Sequence, residues 1–324
     1  MTDSRLSINN LCVDYPEARV VNNVSFTLGN ERLALVGESG SGKSMTARAL
    51  MGLVRKPGVV TADTLNILGR DALTLNARGW QQLRGNDIAM VLQDPRYALN
   101  PVKTVKAQLE EALTLHQRLN RREKEEKINT AIQAVGLNTR VLQSYPRELS
   151  GGMGQRVMIA IALINDPRVL IADEPTTALD VTIQTQIMDL MRQMNKKTNT
   201  AILLISHDLG VVSRLCSRVY IMYAGRIVES GPVDEILTNP LHPYTKGLVE
   251  AIPDITKRGK PLKAIPGSVP GLYARNNTGC GFAERCEYCT NKCQKEVPPL
   301  VQEDGRAVAC WNKNFDSGRG NTHD

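Results

Sequence analysis

Residues 32–44 read RLALVGESGSGKS, a short apolar run followed by a glycine-rich loop. The loop, Gly37 to Ser44, fits the pattern G-x-x-x-x-G-K-[ST] and is called the P-loop below. The residues after it, SMTARALMGLV, have the apolar spacing of a helix. A strand, a glycine-rich loop and a helix in this order are typical of a cradle for nucleotide phosphates. The sequence therefore predicts nucleotide binding.

The residue types of the P-loop each suit that chemistry. Glycine lets the backbone N–H groups point inward around a phosphate chain. The Lys43 ammonium can reach the β- and γ-phosphates, and the Ser44 hydroxyl can bind Mg²⁺. The alternative, a glycine-rich turn without a ligand, is disfavoured by the flanking elements. The residues expected to contact the nucleotide are Gly37, Ser39, Gly40, Gly42, Lys43 and Ser44.

An acidic partner for the P-loop is expected at the end of a neighbouring strand. The segment RVLIADEP, residues 168–175, supplies four apolar residues followed by Asp173 and Glu174. We expect Asp173 to hold Mg²⁺ through water and Glu174 to act as the general base toward an attacking water. An apolar run ending in two acidic residues is common, so this prediction depends on the P-loop before it.

Composition limits the class of protein. The chain has 324 residues, of which 42% are hydrophobic and 23% charged, as in ordinary soluble domains. The N-terminus lacks the apolar segment of a secretory signal, and no apolar run has the length of a membrane span. The net charge is +7, but aromatic residues make up only 4% and do not interleave with the basic ones. We therefore expect a cytosolic chain with diffuse surface charge and no nucleic-acid partner.

Apolar patterns along the chain predict an α/β fold. Residues 6–15 and 22–28 nearly alternate, as half-buried strands do. The continuous apolar runs at 169–172, 201–206 and 219–225 are separated by helical segments. This arrangement predicts a parallel sheet buried on both faces.

Two segments depart from that pattern. Residues 103–137 are helical throughout and carry the charge run RREKEEK, which predicts an inserted helical region with a solvated face. Prolines recur from about residue 238, and cysteines follow. We place a boundary there, between a domain of residues 1–237 with a helical subdomain at about 94–165, and a C-terminal extension of residues 238–324. The extension is expected to be irregular, with a disordered tail over its last dozen residues.

The segment LSGGMGQRVMIAIAL, which starts at Leu149, points to a family. It resembles the LSGGQ signature of the ATP-binding subunits of ABC transporters, with Met153 and Gly154 intervening before Gln155. The resemblance covers about residues 1–237. It implies an ATPase with a mixed-sheet core, an antiparallel β subdomain and a helical subdomain, and it implies ATP and Mg²⁺ as ligands.

Other family features occur in the expected order. Gln93 in VLQDPRYALNP matches the Q-loop, which implies roles in catalysis and Mg²⁺ binding. The stretch from Ala178 to Asp180 matches the D-loop, and Asp180 is expected at the nucleotide site. His207 in LLISHDL matches the switch histidine that senses the γ-phosphate. Tyr15 lies where an adenine-stacking aromatic is found, and its alternative role is packing at a strand end.

The resemblance also implies partners. Ser150, Gly151 and Gly152 would close on the ATP of a facing subunit, so that two ATPase domains enclose two ATP molecules. We expect a second ATPase subunit of different sequence and two integral permease subunits that dock on the helical insertion. An extracytoplasmic solute-binding protein is expected as an indirect partner. The chain would then lie at the cytoplasmic face of the membrane as a peripheral protein.

The C-terminal extension narrows the branch of the family. Its segments GRIVESGPVDEILTNPLHPYTKGLVEAIP and AIPGSVPGL resemble the tail of dipeptide, oligopeptide and nickel importer ATPases. Uptake of small peptides or a related solute is therefore the predicted function. His242 in NPLHPYT is expected to be a turn residue and not a ligand. The alternatives are a soluble ABC ATPase that acts on nucleic acid or the ribosome, and an added regulatory role as an iron or redox sensor.

Five of the seven cysteines cluster at the C-terminus, in CGFAERCEYCTNKC and at Cys310. A reducing cytosol disfavours disulfides, and a four-thiolate site suits either Zn²⁺ or an iron–sulfur cluster. Spacing alone does not decide between them, and unrelated thiols are the remaining alternative. Cys289 lies three residues after Cys286, a short separation that favours zinc. Cys12 and Cys216 are expected to be packing residues.

The spacing C-x5-C-x6-C-x16-C, however, resembles that of peptide-importer ATPases that carry a [4Fe–4S] cluster. This resemblance implies a cluster on Cys280, Cys286, Cys293 and Cys310. Zinc is the alternative metal. Cys289 is then a spare thiol or the replacement for one of the four.

Overall fold

The computed structural model describes residues 4–176, 179–252, 264–275 and 278–313. Ala178 of the predicted D-loop and the predicted tail beyond residue 313 lie outside these ranges. The strands are β1 (Leu6–Tyr15), β2 (Ala18–Leu28), β3 (Arg32–Val36), β4 (Val59–Thr61), β5 (Thr64–Ile67), β6 (Arg70–Asp71), β7 (Ile88–Val91), β8 (Val169–Asp173), β9 (Ala201–Ser206), β10 (Arg218–Tyr223), β11 (Arg226–Pro232), β12 (Val301–Glu303) and β13 (Arg306–Val308). The helices are α1 (Lys43–Leu50), α2 (Ala77–Leu83), α3 (Pro95–Ala98), α4 (Val105–Thr114), α5 (Arg121–Ala134), α6 (Gly151–Leu163), α7 (Val181–Thr198), α8 (Leu209–Leu215), α9 (Val233–Thr238), α10 (Pro243–Glu250) and α11 (Asn291–Lys295).

The central sheet has the strand order β12-β13-β11-β10-β3-β9-β8-β7. Its middle strands, from β10 to β7, are parallel to one another, and β11 is antiparallel to β10. Leu33 and Leu35 of β3 belong to one buried cluster, whereas Ala34 and Val36 belong to another. Alternate residues of one strand thus enter cores on opposite faces, as expected for a sheet buried on both sides. The predicted parallel sheet is confirmed.

A second, antiparallel sheet covers one of those cores. It has the order β2-β1-β5-β6, with β4 also paired to β1. Leu6, Leu11 and Val13 of β1 are fully buried against helix α1 and the central sheet. The predicted strand at 22–28 begins earlier, at Ala18, because the chain reverses directly after Tyr15 and Ala18 already pairs with it.

The helical subdomain consists mainly of α4, α5 and α6. Asn120 caps α5, since its side chain accepts a hydrogen bond from the Glu123 N–H while the Glu123 carboxylate accepts one from the Asn120 N–H. Most of the charge run RREKEEK is exposed on this helix, as predicted. The buried face of α5 contributes Ile128 and Ile132 to the core.

The C-terminal extension adds two strands to the central sheet. Strand β13 pairs antiparallel with β11, and β12 pairs with β13 at the sheet edge. Each strand is three residues long, too short for an alternation to show in the sequence. The extension is thus less irregular than expected, since it also contains helices α10 and α11. The buried ion pair between Arg306 Nη2 and Glu229 Oε1, at 2.7 Å, fastens the hairpin to the core. No helix within the described ranges is long and apolar enough to cross a membrane.

Candidate nucleotide-binding site

The P-loop connects β3 to α1, as the sequence predicts. Gly42 has φ of 104°, in the left-handed region. A Cβ on this residue would lie 2.8 Å from Met222 Cε and 3.1 Å from the Val20 carbonyl oxygen. Only glycine fits this conformation and this space, so the turn into α1 depends on it.

Lys43 is buried inside the P-loop. Its Nζ donates to the carbonyl oxygens of Gly37 at 2.6 Å and Glu38 at 2.9 Å, and to Ser41 Oγ at 3.3 Å. Burial lowers the pKa of the Lys43 ammonium, and the nearby Glu174 and Asp173 carboxylates oppose that shift. The loop therefore encloses a cation that is held among oxygen acceptors.

Ser44 and Asp173 form an oxygen-donor pair beside this cation. Ser44 Oγ donates to Asp173 Oδ1 at 3.1 Å. Burial raises the pKa of the Asp173 carboxyl, and the Ser44 hydrogen bond partly offsets the rise. A hydroxyl and a carboxylate side by side fit Mg²⁺, which prefers oxygen ligands and completes its shell with water and phosphate.

Three side chains converge at the ends of adjacent parallel strands. Gln93 follows β7, Glu174 follows β8 and His207 follows β9. Gln93 Nε2 donates to Glu174 Oε2 at 2.9 Å, and His207 Nδ1 lies 3.0 Å from Glu174 Oε1. Glu174 itself has φ of 48°, a left-handed conformation that is strained for a non-glycine residue. The carboxylate is thus fixed from both sides at the carboxyl edge of the sheet.

The signature residues form the start of helix α6. Ser150 is the N-cap, and its Oγ accepts a hydrogen bond from the Met153 N–H at 3.3 Å. Gly151 is exposed, with no atom within 4 Å of the place where a Cβ would stand. Gly151 lines a cleft of about 810 Å³ together with Ser44, Gln93 and Asp173.

Sequence reasoning assigned no role to Gln155, although the structure gives it a distinct place. Its side chain is buried, and Nε2 donates to the Pro175 carbonyl oxygen at 2.8 Å. The signature helix is thereby tied to the segment that follows Glu174. Its match to the signature glutamine was visible in the sequence, but nothing there indicated the contact with Pro175.

Asp180 and Tyr15 are also located. Asp180 caps α7, since its Oδ1 accepts a hydrogen bond from the Ile183 N–H at 3.0 Å. Tyr15 ends β1 and is half-buried against the core beneath the antiparallel sheet. A Cβ at Gly58 would lie 2.8 Å from Tyr15 Cζ, so the ring packs closely on the chain there. The nucleotide roles expected for both residues stay predictions.

Three residues of the C-terminal extension reach the P-loop, which sequence reasoning did not foresee. Arg285 pairs with the Glu38 carboxylate, and Arg275 Nη2 donates to the Gly40 carbonyl oxygen at 2.7 Å. Tyr244 accepts a hydrogen bond on its hydroxyl from the Glu38 N–H at 2.9 Å. These partners lie more than 200 residues away in sequence, and no local pattern indicates such contacts.

Four of the clustered cysteines surround one small cavity. Cys280, Cys286, Cys293 and Cys310 all line it, and Cys289 does not. Burial raises the pKa of Cys286 to about 12 and that of Cys310 to about 11. In the described part of the chain, no three His, Cys, Asp or Glu side chains are arranged to hold a metal ion. The shared cavity groups the predicted cysteines, but this arrangement does not support a bound metal or cluster.

The remaining cysteines and His242 lie where the sequence predicts. Cys12 and Cys216 are buried in the core. His242 caps α10, and its Nδ1 accepts a hydrogen bond from the Tyr244 N–H at 3.0 Å. Complete burial lowers the pKa of His242 to about 3, so the ring is neutral near pH 7.

Comparison with known proteins agrees with this geometry. Residues 21–177 match the family "ABC transporter", and residues 228–293 match "Oligopeptide/dipeptide transporter, C-terminal region". The chain is 46% identical over 312 residues to a putative peptide import ATP-binding protein of Brucella abortus, with 94% of both chains covered. A protein of the same description from Brucella ovis is 46% identical over 300 residues, with 88% of both chains covered.

Solved structures share the fold of the core. The dimeric structure of MJ0796, described as a bacterial ABC transporter cassette, gives a TM-score of 0.63 at 27% identity, covering 70% of this chain and 98% of that one. The structure of cbiO1 from Clostridium perfringens, described as part of the ABC transporter complex cbiONQ, gives a TM-score of 0.61 at 26% identity, covering 72% of this chain and 90% of that one.

Fold, site and comparisons together define an ABC-type ATPase. The chain belongs to the family of ABC transporter ATP-binding proteins, in its oligopeptide and dipeptide branch. The predicted family and fold class are confirmed.

Proposed function

We propose that this ATPase powers the uptake of di- or oligopeptides, or a related small solute, across the cytoplasmic membrane through partner permease subunits. The observation that carries the proposal is the near full-length similarity to proteins described as putative peptide import ATP-binding proteins. The match of residues 228–293 to the oligopeptide/dipeptide transporter C-terminal region adds to it. The core thus matches the ABC family, and much of the extension matches the peptide branch.

Within this function we assign roles to the residues of the site. Glu174 acts as the general base toward water, and its carboxylate is held for that task by Gln93 and His207 at 2.9 and 3.0 Å. Lys43 neutralises the β- and γ-phosphates from inside the P-loop. Ser44 and Asp173 hold Mg²⁺, which offsets phosphate charge when it is bound. Gln93 is a further Mg²⁺ ligand in this proposal. Backbone N–H groups of the P-loop, other than the Glu38 N–H that donates to Tyr244, cradle the phosphates.

The same proposal covers the assembly. Ser150, Gly151 and Gly152 would bind the ATP held by a second ATPase subunit of different sequence. Asp180 would also lie at the nucleotide site. Tyr15 would stack on adenine. Exposed Tyr97 and Val102, just after Gln93, offer an apolar surface to two permease subunits. The chain would then be a peripheral protein at the cytoplasmic face of the membrane. An extracytoplasmic solute-binding protein would be its indirect partner.

The domain division belongs to this proposal as well. Residues 1–237 would form the ATPase domain, with a helical subdomain at about 94–165, and residues 238–324 the C-terminal extension. The continuous packing of α4, α5 and α6 supports the helical subdomain. The contribution of β12 and β13 to the central sheet shows how closely the extension is joined to the core.

The experiment is uptake of a radiolabelled dipeptide and a radiolabelled tetrapeptide by proteoliposomes that contain the assembled transporter. ATP-dependent uptake should occur with the unchanged chain and be lost in Glu174→Gln, which should still bind ATP. Glu125→Gln, an exposed carboxylate of α5, serves as the matched control and should leave uptake unchanged. Purification of the chain with ribosomes or nucleic acid and without integral subunits would refute the transport proposal.

We further propose that Cys280, Cys286, Cys293 and Cys310 hold a [4Fe–4S] cluster, with zinc as the alternative metal. The proposal rests on the spacing of these cysteines in the sequence and on the match of four sulfurs to a cluster's ligand set. Anaerobically purified protein should be brown and contain iron. Cys310→Ser should lose the iron, whereas Cys289→Ser should keep it. Colourless protein with stoichiometric zinc would refute the cluster and retain the site.

A further inference from the structure

An arginine of the C-terminal extension is paired with the second residue of the P-loop. Arg285 Nη1 lies 2.7 Å from Glu38 Oε2, and Arg285 Nη2 lies 3.1 Å from Glu38 Oε1. The Arg285 side chain is 6% exposed and the Glu38 side chain 32%. A bidentate ion pair of this kind is stronger and more directional than an exposed one, because little water competes for its hydrogen bonds.

Every polar group of Glu38 is engaged. Its N–H donates to the Tyr244 hydroxyl at 2.9 Å, and its carbonyl oxygen accepts from Lys43 Nζ at 2.9 Å. Its carboxylate pairs with Arg285. Two of these three partners lie in the extension, and the third is the lysine that is proposed to contact phosphate. Glu38 therefore links the extension directly to that lysine.

A second arginine supports the neighbouring turn of the loop. Arg275 Nη2 donates to the Gly40 carbonyl oxygen at 2.7 Å, and Nη1 donates to the Val20 carbonyl oxygen at 3.0 Å. When the N–H groups of a P-loop turn toward phosphate, its carbonyls must find partners elsewhere. Arg275 supplies one such partner at Gly40.

Arg285 is itself held in place by contacts with both the extension and the core strand β10. It ends the 3-10 turn Ala283–Arg285, and its guanidinium lies 5.7 Å from the Tyr223 ring centroid and 5.8 Å from that of Phe282. The Phe282 and Tyr223 rings meet edge to face at 5.2 Å. The position of the guanidinium is therefore fixed jointly by the cysteine-rich segment and by Tyr223 of β10, and the arginine loses little freedom when it pairs with Glu38.

We propose that Arg285 is a positioning residue for ATP: it holds Glu38 in place and neutralises a carboxylate that would otherwise repel the nucleotide phosphates. Through this pair the C-terminal extension sets the ATP affinity of the core. The inference concerns nucleotide binding and does not depend on the transported solute or on a metal in the extension. Its failure would leave the proposed peptide uptake untouched.

The charges make the two members of the pair unequal, which gives a decisive test. Arg285→Ala leaves an unpaired carboxylate beside the phosphate site, so the Kd for MgATP of the full-length chain should rise roughly tenfold. Glu38→Gln removes that carboxylate and leaves Arg285 in place, so its Kd should stay within roughly threefold of the unchanged chain or fall. The double variant Glu38→Gln/Arg285→Ala should recover most of the lost affinity. Lys295→Ala, an exposed cation of α11, is the matched control and should have no effect.

Kinetics of the assembled transporter separate positioning from damage to the fold. Arg285→Ala should raise KM for ATP and leave kcat at saturating ATP nearly unchanged. The KM of Arg285→Lys should lie between those of Arg285→Ala and the unchanged chain. Equal weakening by Glu38→Gln and Arg285→Ala would overturn the proposal, because loss of packing alone predicts that result. An unchanged Kd in Arg285→Ala would overturn it as well. If Arg285→Ala does not fold, the Glu38→Gln and Arg285→Lys affinities decide by the same criteria.

Discussion

Nδ1 of His207 lies 3.0 Å from Oε1 of Glu174, although the two residues follow different strands of the central sheet. The other carboxylate oxygen of Glu174 accepts a hydrogen bond from Gln93 at 2.9 Å. The backbone of Glu174 adds a constraint of its own, with φ of 48°. A proposed general base is thus held in one orientation by two side chains and its own backbone conformation, and each of the two side chains can be removed separately.

Removal of the histidine should affect turnover and not nucleotide affinity. We expect His207→Ala to lower kcat for ATP hydrolysis by roughly 100-fold, because the Glu174 carboxylate then loses one of its two fixed partners. KM for ATP should change little. Phosphate release by the assembled transporter measures both constants, with His116→Ala, a histidine after α4, as the control. A rise in KM with unchanged kcat would show that His207 binds nucleotide and does not position the base.

The location of the candidate site could be predicted because each of its segments is a short stretch of sequence. The P-loop and the Asp173–Glu174 pair are both read from fewer than ten neighbouring residues, and backbone geometry then fixes where they lie. The run AILLIS, predicted as a strand, is β9 residue for residue. Local pattern and tertiary structure agree at these places, because buried strands at the centre of a sheet need continuous apolar residues.

Other features were beyond prediction for physical reasons. The pairing of Arg285 with Glu38 joins residues separated by 247 positions, and an isolated arginine carries no sign of its partner. The hairpin of β12 and β13 is too short to show alternation. It is attached by strand pairing with β11 and by a buried ion pair with Glu229, two contacts between residues far apart in sequence. The cysteine spacing singled out four residues that do line one cavity, but spacing could not reveal how their thiols are arranged.

Two glycines of the site should respond differently to substitution by alanine: one variant should lose ATP binding, and the other should lose only ATP hydrolysis. Gly42→Ala would force a side chain into a left-handed backbone and within 2.8 Å of Met222 Cε. We expect it to weaken MgATP binding by the full-length chain by at least roughly 100-fold, since that strain distorts the loop around Lys43. Equilibrium titration with a fluorescent ATP analogue provides the measurement.

Gly151→Ala meets no atom within 4 Å, so the chain should fold and bind MgATP as before. ATP hydrolysis by the assembled transporter should nevertheless fall, because Gly151 is proposed to face the ATP of the second subunit. Weakened ATP binding by the full-length chain alone would contradict that assignment. The signature would then act on its own chain's nucleotide.

The buried ion pair of the hairpin should contribute more to stability than an exposed pair nearby. Glu229 is fully buried, and Arg306 is its only charged partner in the described part of the chain. Arg306→Ala would leave the carboxylate without that partner and lower the free energy of unfolding by about 3 kcal/mol. Lys313→Ala, which breaks the exposed pair with Glu303, should change it by less than about 0.5 kcal/mol. Chemical denaturation compares them, and equal effects would show that burial adds nothing.

Acid should destabilise the fold partly through one buried histidine. The pKa of His242 falls from its ordinary value of 6.5 to about 3 because the ring is completely buried, with the Glu229 carboxylate bound to its backbone N–H. Between those two pH values, His242 is therefore protonated in the unfolded state and neutral in the folded state. Stability from His242 is fully present above pH 6.5 and falls by about 1.4 kcal/mol per pH unit as the pH drops toward 3. His242→Asn, which can still cap α10, should flatten the decline in unfolding free energy between pH 6 and 4, and an unchanged slope would contradict the assignment.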